Sequence, residues 1–396
     1  MEKHNLNSLN PAKFADLIKN REIEIALASS KEPKLDFNAN RIAKAFHPAK
    51  QHLIVSDIAK GKNTNVYKLI PNGDKGTHAC AYFSAGQYIT VYAEIGGKTY
   101  SRPYSLVSSP KDALNGFYTL AIKAVDGGLV SNYILENWSV GTEIKVSDPI
   151  GNFTFEPLRD AHNIVAVAGG SGITPFVSMA KSVAEGDEDF NLTLLYGSRK
   201  EEDILFKAEL DALAQKCEKI KVVYVLSDEN NPQFEHGNIS LEIIEKYAPE
   251  GKYSIFLCGP EAMTRFVDKE IEKLDLERKY IRHEVHGEAI NPSVFEDYPN
   301  NAPELVTVTV WIKGEKKVIT SSPKSTLVRI LEDNGITPPT RCRSGECGFC
   351  HSRLISGEVF IPKELNKLRQ ADSKFGFIHP CCSYPLTDIE IEISEN

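Results

Sequence analysis

A chain of 396 residues has room for about two to four domains, and its 41 % hydrophobic and 25 % charged content is ordinary for a globular protein. A formal net charge of −8, with no basic arm or lysine run, argues against general binding to nucleic acid or to anionic membranes. No window approaches about 18 uninterrupted apolar residues and the N-terminus lacks an apolar signal core, so the eight cysteines read as thiols and metal ligands in a reducing compartment, with the cytoplasm the expected location.

Residues 1–48 carry helix-like periodicity around Phe14, Leu17 and Ile18, and again around Ile42, Ala43 and Phe46. Asn10 suits a cap and Pro11 the first helical position, so a short helical extension packing on the body is expected. Over 49–156 the pattern changes to short alternating runs at 66–70, 88–92, 117–123 and 143–146, parted by Pro71-Asn72-Gly73, Gly96-Gly97 and Asp126-Gly127-Gly128. Evenly spaced strands with such turns predict an antiparallel barrel. Over 157–286, continuous apolar runs at 164–170, 192–196, 222–226 and 254–258 alternate with helix-like segments at 176–184, 205–216 and 262–274. That order predicts a parallel sheet in a βαβ domain. Residues 287–303, with Pro292, Pro299 and Pro303, read as a linker, and a final compact unit over 304–396 opens with Val306-Thr-Val-Thr-Val and closes with Ile389-Glu-Ile-Glu-Ile.

The densest chemistry lies in Arg341-Cys-Arg-Ser-Gly-Glu-Cys-Gly-Phe-Cys350. Cys342, Cys347 and Cys350 follow Cys-x4-Cys-x2-Cys, and a cysteine pair, Cys381-Cys382, arrives later. This is the spacing of a plant-type 2Fe–2S cluster, in which three thiolates on one loop and a distant fourth hold two irons. Gly345 and Gly348 let the backbone curl so that its N–H groups point at sulfur. Structural zinc usually draws its thiolates from two separate short turns, and a disulfide knot suits three crowded cysteines poorly.

Weaker signals precede it. Arg102-Pro-Tyr-Ser105, expected just after a barrel strand, offers a cation, an aromatic surface and a hydroxyl, which are what a flavin's phosphate, ring and redox-active nitrogen require. Gly127-Gly-Leu-Val-Ser131-Asn132 is expected to open a helix over 132–137, and free N–H groups there, with the Ser131 hydroxyl, could cradle a pyrophosphate or simply cap the helix. Gly169-Gly-Ser-Gly172-Ile-Thr174-Pro175 follows a buried strand and opens a helix, where open α/β sheets bind nucleotides, although Pro175 stands in place of a third glycine. Cys258-Gly259-Pro260 ends a later strand at the same edge, with room for a flat ring to approach.

In this order the reductase motifs resemble the ferredoxin–NADP reductase superfamily, and the cysteine loop with Cys381 resembles the plant-type ferredoxin domain. Reductase first and ferredoxin last is similar to the bacterial oxygenase-reductase and hybrid-cluster-protein-reductase type. The resemblance covers roughly residues 50–396. It implies a flavin barrel, an α/β nucleotide domain and an α+β β-grasp ferredoxin domain. It further implies that Arg102, Tyr104 and Ser105 contact flavin and that Gly128 and Ser131 approach its phosphate. Gly170, Gly172 and Thr174 would hold the nicotinamide dinucleotide, with Cys258 and Gly259 beside the nicotinamide. Cys342, Cys347, Cys350 and Cys381 would hold the cluster, leaving Cys382 free. Two departures stand out: Glu284-Val-His286-Gly287 offers histidine where relatives often have an aromatic, and the first 50 residues have no counterpart.

The resulting expectation is a reductase that takes electrons from a nicotinamide cofactor and passes them singly, through flavin and cluster, to an acceptor protein. Ser105 and Cys258 would serve the hydride step. FAD is favoured over FMN because the 127–132 stretch has room for a second phosphate. NADH is favoured over NADPH because Asp228 follows the 222–226 strand where NADPH-using relatives often carry arginine, and a carboxylate repels a 2′-phosphate. The basic pair Arg199-Lys200 is offset by Glu201, Glu202 and Asp203. The rivals are direct reduction of a small molecule and a non-catalytic redox sensor.

Overall fold

The computed structural model describes residues 11–28, 37–285, 287, 291–299 and 301–394. The chain divides into two units, Met1–Ala45 and Phe46–Asn396. In the first, helix α1 (Pro11–Leu27) opens on Pro11, whose missing N–H is no loss in a first turn. Asn10, its expected cap, lies outside the described residues. Helix α2 (Asn38–Phe46) follows, and Ile42 and Phe46 on it are exposed.

The second unit begins with strands β1 (Lys50–Lys60), β2 (Thr64–Pro71), β3 (Tyr88–Ile95) and β4 (Lys98–Ser105), then helix α3 (Pro110–Leu114), β5 (Tyr118–Lys123), helix α4 (Leu129–Asn137) and β6 (Glu143–Ser147). They form a six-stranded antiparallel sheet in the order β4-β3-β6-β1-β2-β5. Its edges meet through one bridge, Leu106↔Leu120, so the sheet curls into a partly closed barrel. Alternate residues such as Leu53, Val55, Ile89 and Val91 fill the interior. Arg102–Ser105 does not follow a strand but lies within β4. Pro103 is tolerated there because β4 is an edge strand, where a lost donor breaks no ladder.

The middle part runs β7 (Asn163–Gly169), α5 (Thr174–Glu185), β8 (Asn191–Ser198), α6 (Lys207–Lys216), β9 (Ile220–Leu226), β10 (Glu235–His236), α7 (Leu241–Tyr247), β11 (Tyr253–Cys258), α8 (Glu261–Ile271) and β12 (Ile281–Glu284). All pairings in this six-stranded sheet, order β10-β9-β8-β7-β11-β12, are parallel. Its central strands are buried on both faces, which is why their sequences read as unbroken apolar runs. One cluster joins Ala85, Val107 and Phe153 of the barrel to Phe176, Val177 and Ala180 of α5. Helix α6 starts two residues later than the pattern suggested, because Phe206 adopts a left-handed φ of 58°.

The last part contains β13 (Val306–Ile312), β14 (Glu315–Ser321), α9 (Leu327–Asp333), β15 (Ser352–Ser356), β16 (Val359–Phe360), α10 (Gln370–Lys374), β17 (Phe377–Ile378), β18 (Tyr384–Pro385) and β19 (Ile389–Glu392). The sheet order is β14-β13-β19-β15-β17, with β13 and β19 parallel and α9 packed across them through Leu327, Ile330 and Leu331. This is the β-grasp arrangement.

Candidate functional site

The site is built where the three parts of the second unit meet. On β4, Arg102 and Tyr104 project to one face by the alternation of a strand, whereas Ser105 projects to the other, with Ser101. Ser105 therefore does not share the Arg102–Tyr104 face, as a simple reading of the motif implies. It pairs with Tyr88 of β3 and is buried. Burial pushes the Tyr104 phenol well above its usual range, so the ring is a neutral surface. The Arg102 guanidinium donates to the Ser101 carbonyl at 2.7 Å and meets Glu332 at 3.3 Å.

Helix α4 begins three residues before the expected start, capped by Gly128 without a side-chain bond, so Ser131 lies inside its first turn rather than at its cap. A Cβ on Gly128 would stand 2.7 Å from the Ser131 hydroxyl and 2.8 Å from Val125 Cβ. A glycine is thus needed where Ser131 comes up to the helix start. These residues fit the phosphate end of a flavin dinucleotide.

At the carboxyl edge of the parallel sheet, β7 ends at Gly169 and a short 3-10 turn, Gly170–Ile173, leads into α5. Gly170 has φ +52°. Thr174 Oγ1 donates to the Ser171 carbonyl at 3.0 Å, and the Tyr196 hydroxyl donates to the Gly170 carbonyl at 3.0 Å, so the turn is pinned from both sides. A Cβ on Gly172 would sit 2.3 Å from the Cys258 carbonyl oxygen and 2.7 Å from Gly259 Cα. The turn and the end of β11 therefore touch backbone to backbone, which only glycine permits. Lys123 Nζ lies 3.7 Å from where a Gly170 Cβ would be, a cation the sequence reading passed over because it sits on a barrel strand. Cys258 is buried; desolvation, then the Glu284 carboxylate, raises its thiol well above the usual range and keeps it a small neutral group. The turn fits a nucleotide pyrophosphate and the Cys258–Gly259 end fits a flat ring.

Asp228 lies at the same edge, exposed, with its N–H donating to the Arg199 carbonyl at 2.9 Å and its carboxylate accepting from Ser227 Oγ at 2.6 Å. Arg199 and Asp228 are thus neighbours rather than rivals at separate places.

In the cysteine loop, Cys350 and Cys381 sulfurs are 3.3 Å apart. N–H groups of Ser344 and Cys347 point at Cys342 Sγ (3.4 Å each), that of Gly345 at Cys381 Sγ (3.2 Å) and that of Phe349 at Cys347 Sγ (3.5 Å). Thiol donation from Cys347 and Cys381, helped by the Ser344 N–H, pulls Cys342 far below the usual thiol range. Four inward N–H groups around these clustered sulfurs fit thiolates on a cationic iron centre. Gly345 and Gly348 are at φ +81° and +69°, and a Cβ on Gly345 would meet the Leu365 carbonyl at 2.7 Å. His379 is buried, its pKa lowered chiefly by desolvation, and its Nδ1 is 2.9 Å from the Gly345 carbonyl. A neutral ring with the proton on Nδ1 donates there and holds the loop. Cys382 Sγ instead points at the His379 carbonyl, 3.5 Å away. His379, Arg343 and Glu332 escaped sequence reasoning because each acts on the loop through contacts distant in the chain. The departure at His286 lies outside the described residues.

Residues 51–155 match the oxidoreductase FAD-binding domain, 166–269 the oxidoreductase NAD-binding domain and 310–386 the 2Fe-2S iron-sulfur cluster binding domain. The chain is 30 % identical over 322 residues to the ferredoxin reductase component of 3-ketosteroid-9-alpha-monooxygenase from Rhodococcus rhodochrous, covering 77 % of this chain and 86 % of that one. It is 34 % identical over 220 residues to NADH-cytochrome b5 reductase 1 of Dictyostelium discoideum, covering 54 % of this chain and 73 % of that one. Among solved structures, phthalate dioxygenase reductase matches with a TM-score of 0.61 at 22 % identity, over 87 % of this chain and 98 % of that one, which shows a shared fold. Barrel, nucleotide sheet and cysteine loop follow one another here as those matches do, and the chain belongs to the ferredoxin–NADP reductase superfamily with a C-terminal plant-type ferredoxin domain, an oxidoreductase that uses FAD, a nicotinamide dinucleotide and a 2Fe–2S cluster to pass electrons to a separate protein.

Proposed function

We propose that residues 157–286 bind NADH, residues 49–156 hold FAD, and residues 304–396, joined by the 287–303 linker, hold the cluster through Cys342, Cys347, Cys350 and Cys381. The observation that carries this path is the position of Tyr88. Burial first, and then the charges of Cys342, Cys347 and Glu284, drive its phenol far up. Glu284 also acts on Cys258. Glu284 pairs with Cys258 at the ends of β12 and β11, the Gly287 N–H donates to the Cys342 carbonyl at 3.4 Å, and Thr90, two residues along β3 from Tyr88, donates to the Arg341 carbonyl, so the nucleotide edge and the cysteine loop come together beside Tyr88 and its partner Ser105.

When bound, flavin would supply the chemistry that accepts two electrons from a nicotinamide and releases them singly. The chain supplies orientation. Gly170, Gly172 and Thr174 hold the dinucleotide so that its ring meets Cys258 and Gly259. Arg102 and the start of α4, at Gly128 and Ser131, would hold the phosphates and Tyr104 would offer its ring face, while Ser105, on the opposite face at the end of β4, would supply a hydroxyl from the other side. Buried Cys258 and Ser105 exclude water from the hydride step. Asp228 opposes a 2′-phosphate, so NADH is the donor.

The acceptor is an oxygenase component, in keeping with the monooxygenase partnership named for the Rhodococcus rhodochrous relative. Among the described residues no helix is long and apolar enough to cross a membrane; the eight cysteines, read as thiols and metal ligands, favour a reducing, cytoplasmic location. Anaerobic stopped-flow mixing with NADH tests the path: the flavin bleaches first and the cluster follows. A cluster that stays oxidised while flavin bleaches refutes it and favours direct reduction of a small molecule.

A further inference from the structure

One face of the β3–β4 pair carries Tyr88, Thr90 and Tyr92, with Ser105, Pro103 and Ser101 opposite them. The cysteine loop lies on this face. Thr90 Oγ1 donates to the Arg341 carbonyl at 3.3 Å, the Arg341 guanidinium donates to the Tyr92 hydroxyl, and the Ser101 and Thr340 hydroxyls are 2.6 Å apart. At its centre stands Glu332, in the last turn of α9. Its Oε1 accepts from the Ser101 N–H at 2.9 Å, the Ser101 hydroxyl at 2.9 Å and Arg343 Nη1 at 2.7 Å. Its Oε2 meets Arg102 Nη1 at 3.3 Å. The side chains of Glu332 and Arg343 are both wholly buried, and Arg343 has a left-handed φ of 59°.

A buried glutamate gives little net stability even when paired, because both charges have lost their water. What such a network provides is a single geometry. Cys342 lies between Arg341 and Arg343, and both arginines are held against the barrel, the first by Tyr92 and the second by Glu332 and Ser101 at 3.0 Å. The same carboxylate reaches Arg102 on the flavin strand.

We propose that Glu332 is a positioning residue for the flavin-to-cluster step: it clamps Arg343 and Ser101 together and so fixes Cys342, and the cluster it holds, at one distance from β4. The step itself is the established one, a single electron leaving the flavin and arriving at the cluster. The proposal rests on the reading that Cys342 and Cys381 are ligands. Failure of that reading is seen separately, since Cys381→Ser would then leave the cluster spectrum intact.

The test uses the holoenzyme carrying Glu332→Gln, which keeps the side chain's size and removes its charge. Two readouts are taken: the ratio of cluster-reduction to flavin-reduction rate after mixing with NADH, and hydrogen exchange of amides in residues 99–103 and 339–345. Expected are faster exchange in both segments together and a rate ratio severalfold below that of wild type, because electron transfer slows as donor and acceptor move apart. A wild-type ratio, with or without faster exchange, overturns the proposal. Should Glu332→Gln fail to assemble its cluster, Ser101→Ala decides. It removes the barrel-side hydroxyl, which donates to the Glu332 carboxylate and accepts from Arg343, and is expected to lower the ratio at least about threefold through the loss of these charge-assisted bonds; an unchanged ratio again overturns the proposal.

Discussion

Gly172→Ala tests the nucleotide site most sharply, because the clash it creates is with backbone alone. The added Cβ would stand 2.3 Å from the Cys258 carbonyl oxygen and 2.5 Å from its carbon, whereas an ordinary contact begins near 3.4 Å. Relief requires the 3-10 turn and the end of β11 to part by about 1 Å, since neither atom belongs to a side chain that can rotate away. Overpacking of this kind costs roughly 1–3 kcal/mol of stability, which a domain of this size survives. The larger effect falls on geometry, because a displacement of about 1 Å between the dinucleotide cradle and the nicotinamide end slows a positioned reaction by on the order of a hundredfold. The assay is the rate of flavin bleaching at saturating NADH, with the cluster's visible spectrum as a control that the rest is intact. Gly170→Ala gives the contrast: its Cβ meets only Lys123 Nζ, at 3.7 Å, and the price is left-handed strain of about 1–2 kcal/mol. Bleaching by Gly172→Ala within about threefold of wild type, or a larger loss in Gly170→Ala, would refute the reasoning.

Cys381→Ser is expected to lose or perturb the cluster and Cys382→Ser to leave it, because the Cys381 sulfur stands 3.3 Å from Cys350 while Cys382 points at the His379 carbonyl; iron content and the visible spectrum distinguish them. Asp228→Ser should raise kcat/KM for NADPH relative to NADH by about tenfold, equivalent to ~1.4 kcal/mol of relieved repulsion; an unchanged ratio would mean that Asp228 faces away from the ribose. Glu188 has its pKa raised from 4.5 to about 7 by burial and then by Asp187. A carboxyl raised on folding contributes stability below the unfolded value that is lost as pH rises through the folded one. Melting temperature should therefore fall between pH 5 and 8 more in wild type than in Glu188→Gln, by a modest amount because the group is partly solvated; parallel curves would show that the shift is absent.

The sequence by itself determined the order of the parts and the chemistry each carries. Cys-x4-Cys-x2-Cys in a glycine-bearing loop is local, and so are the alternating runs of a barrel and the unbroken apolar runs of a buried parallel sheet. Periodicity also located α5 and α8 within a few residues. It misplaced the start of α4, where Gly128 rather than Ser131 caps the helix, because either residue could open it and only the packing of Val130 and Ile134 selects the earlier turn. What the tertiary structure alone decided is which distant residues act together. Ser105 turns away from Tyr104 onto the face that meets Tyr88, Gly172 must be glycine because Cys258, on another strand, ends against it, and Glu332 on α9 gathers Ser101 and Arg102 of β4 and Arg343 of the cysteine loop. None of these has a local pattern, since each depends on the space between elements brought together by burial of apolar surface, and a sequence records the residues that fill such a space without recording that they meet.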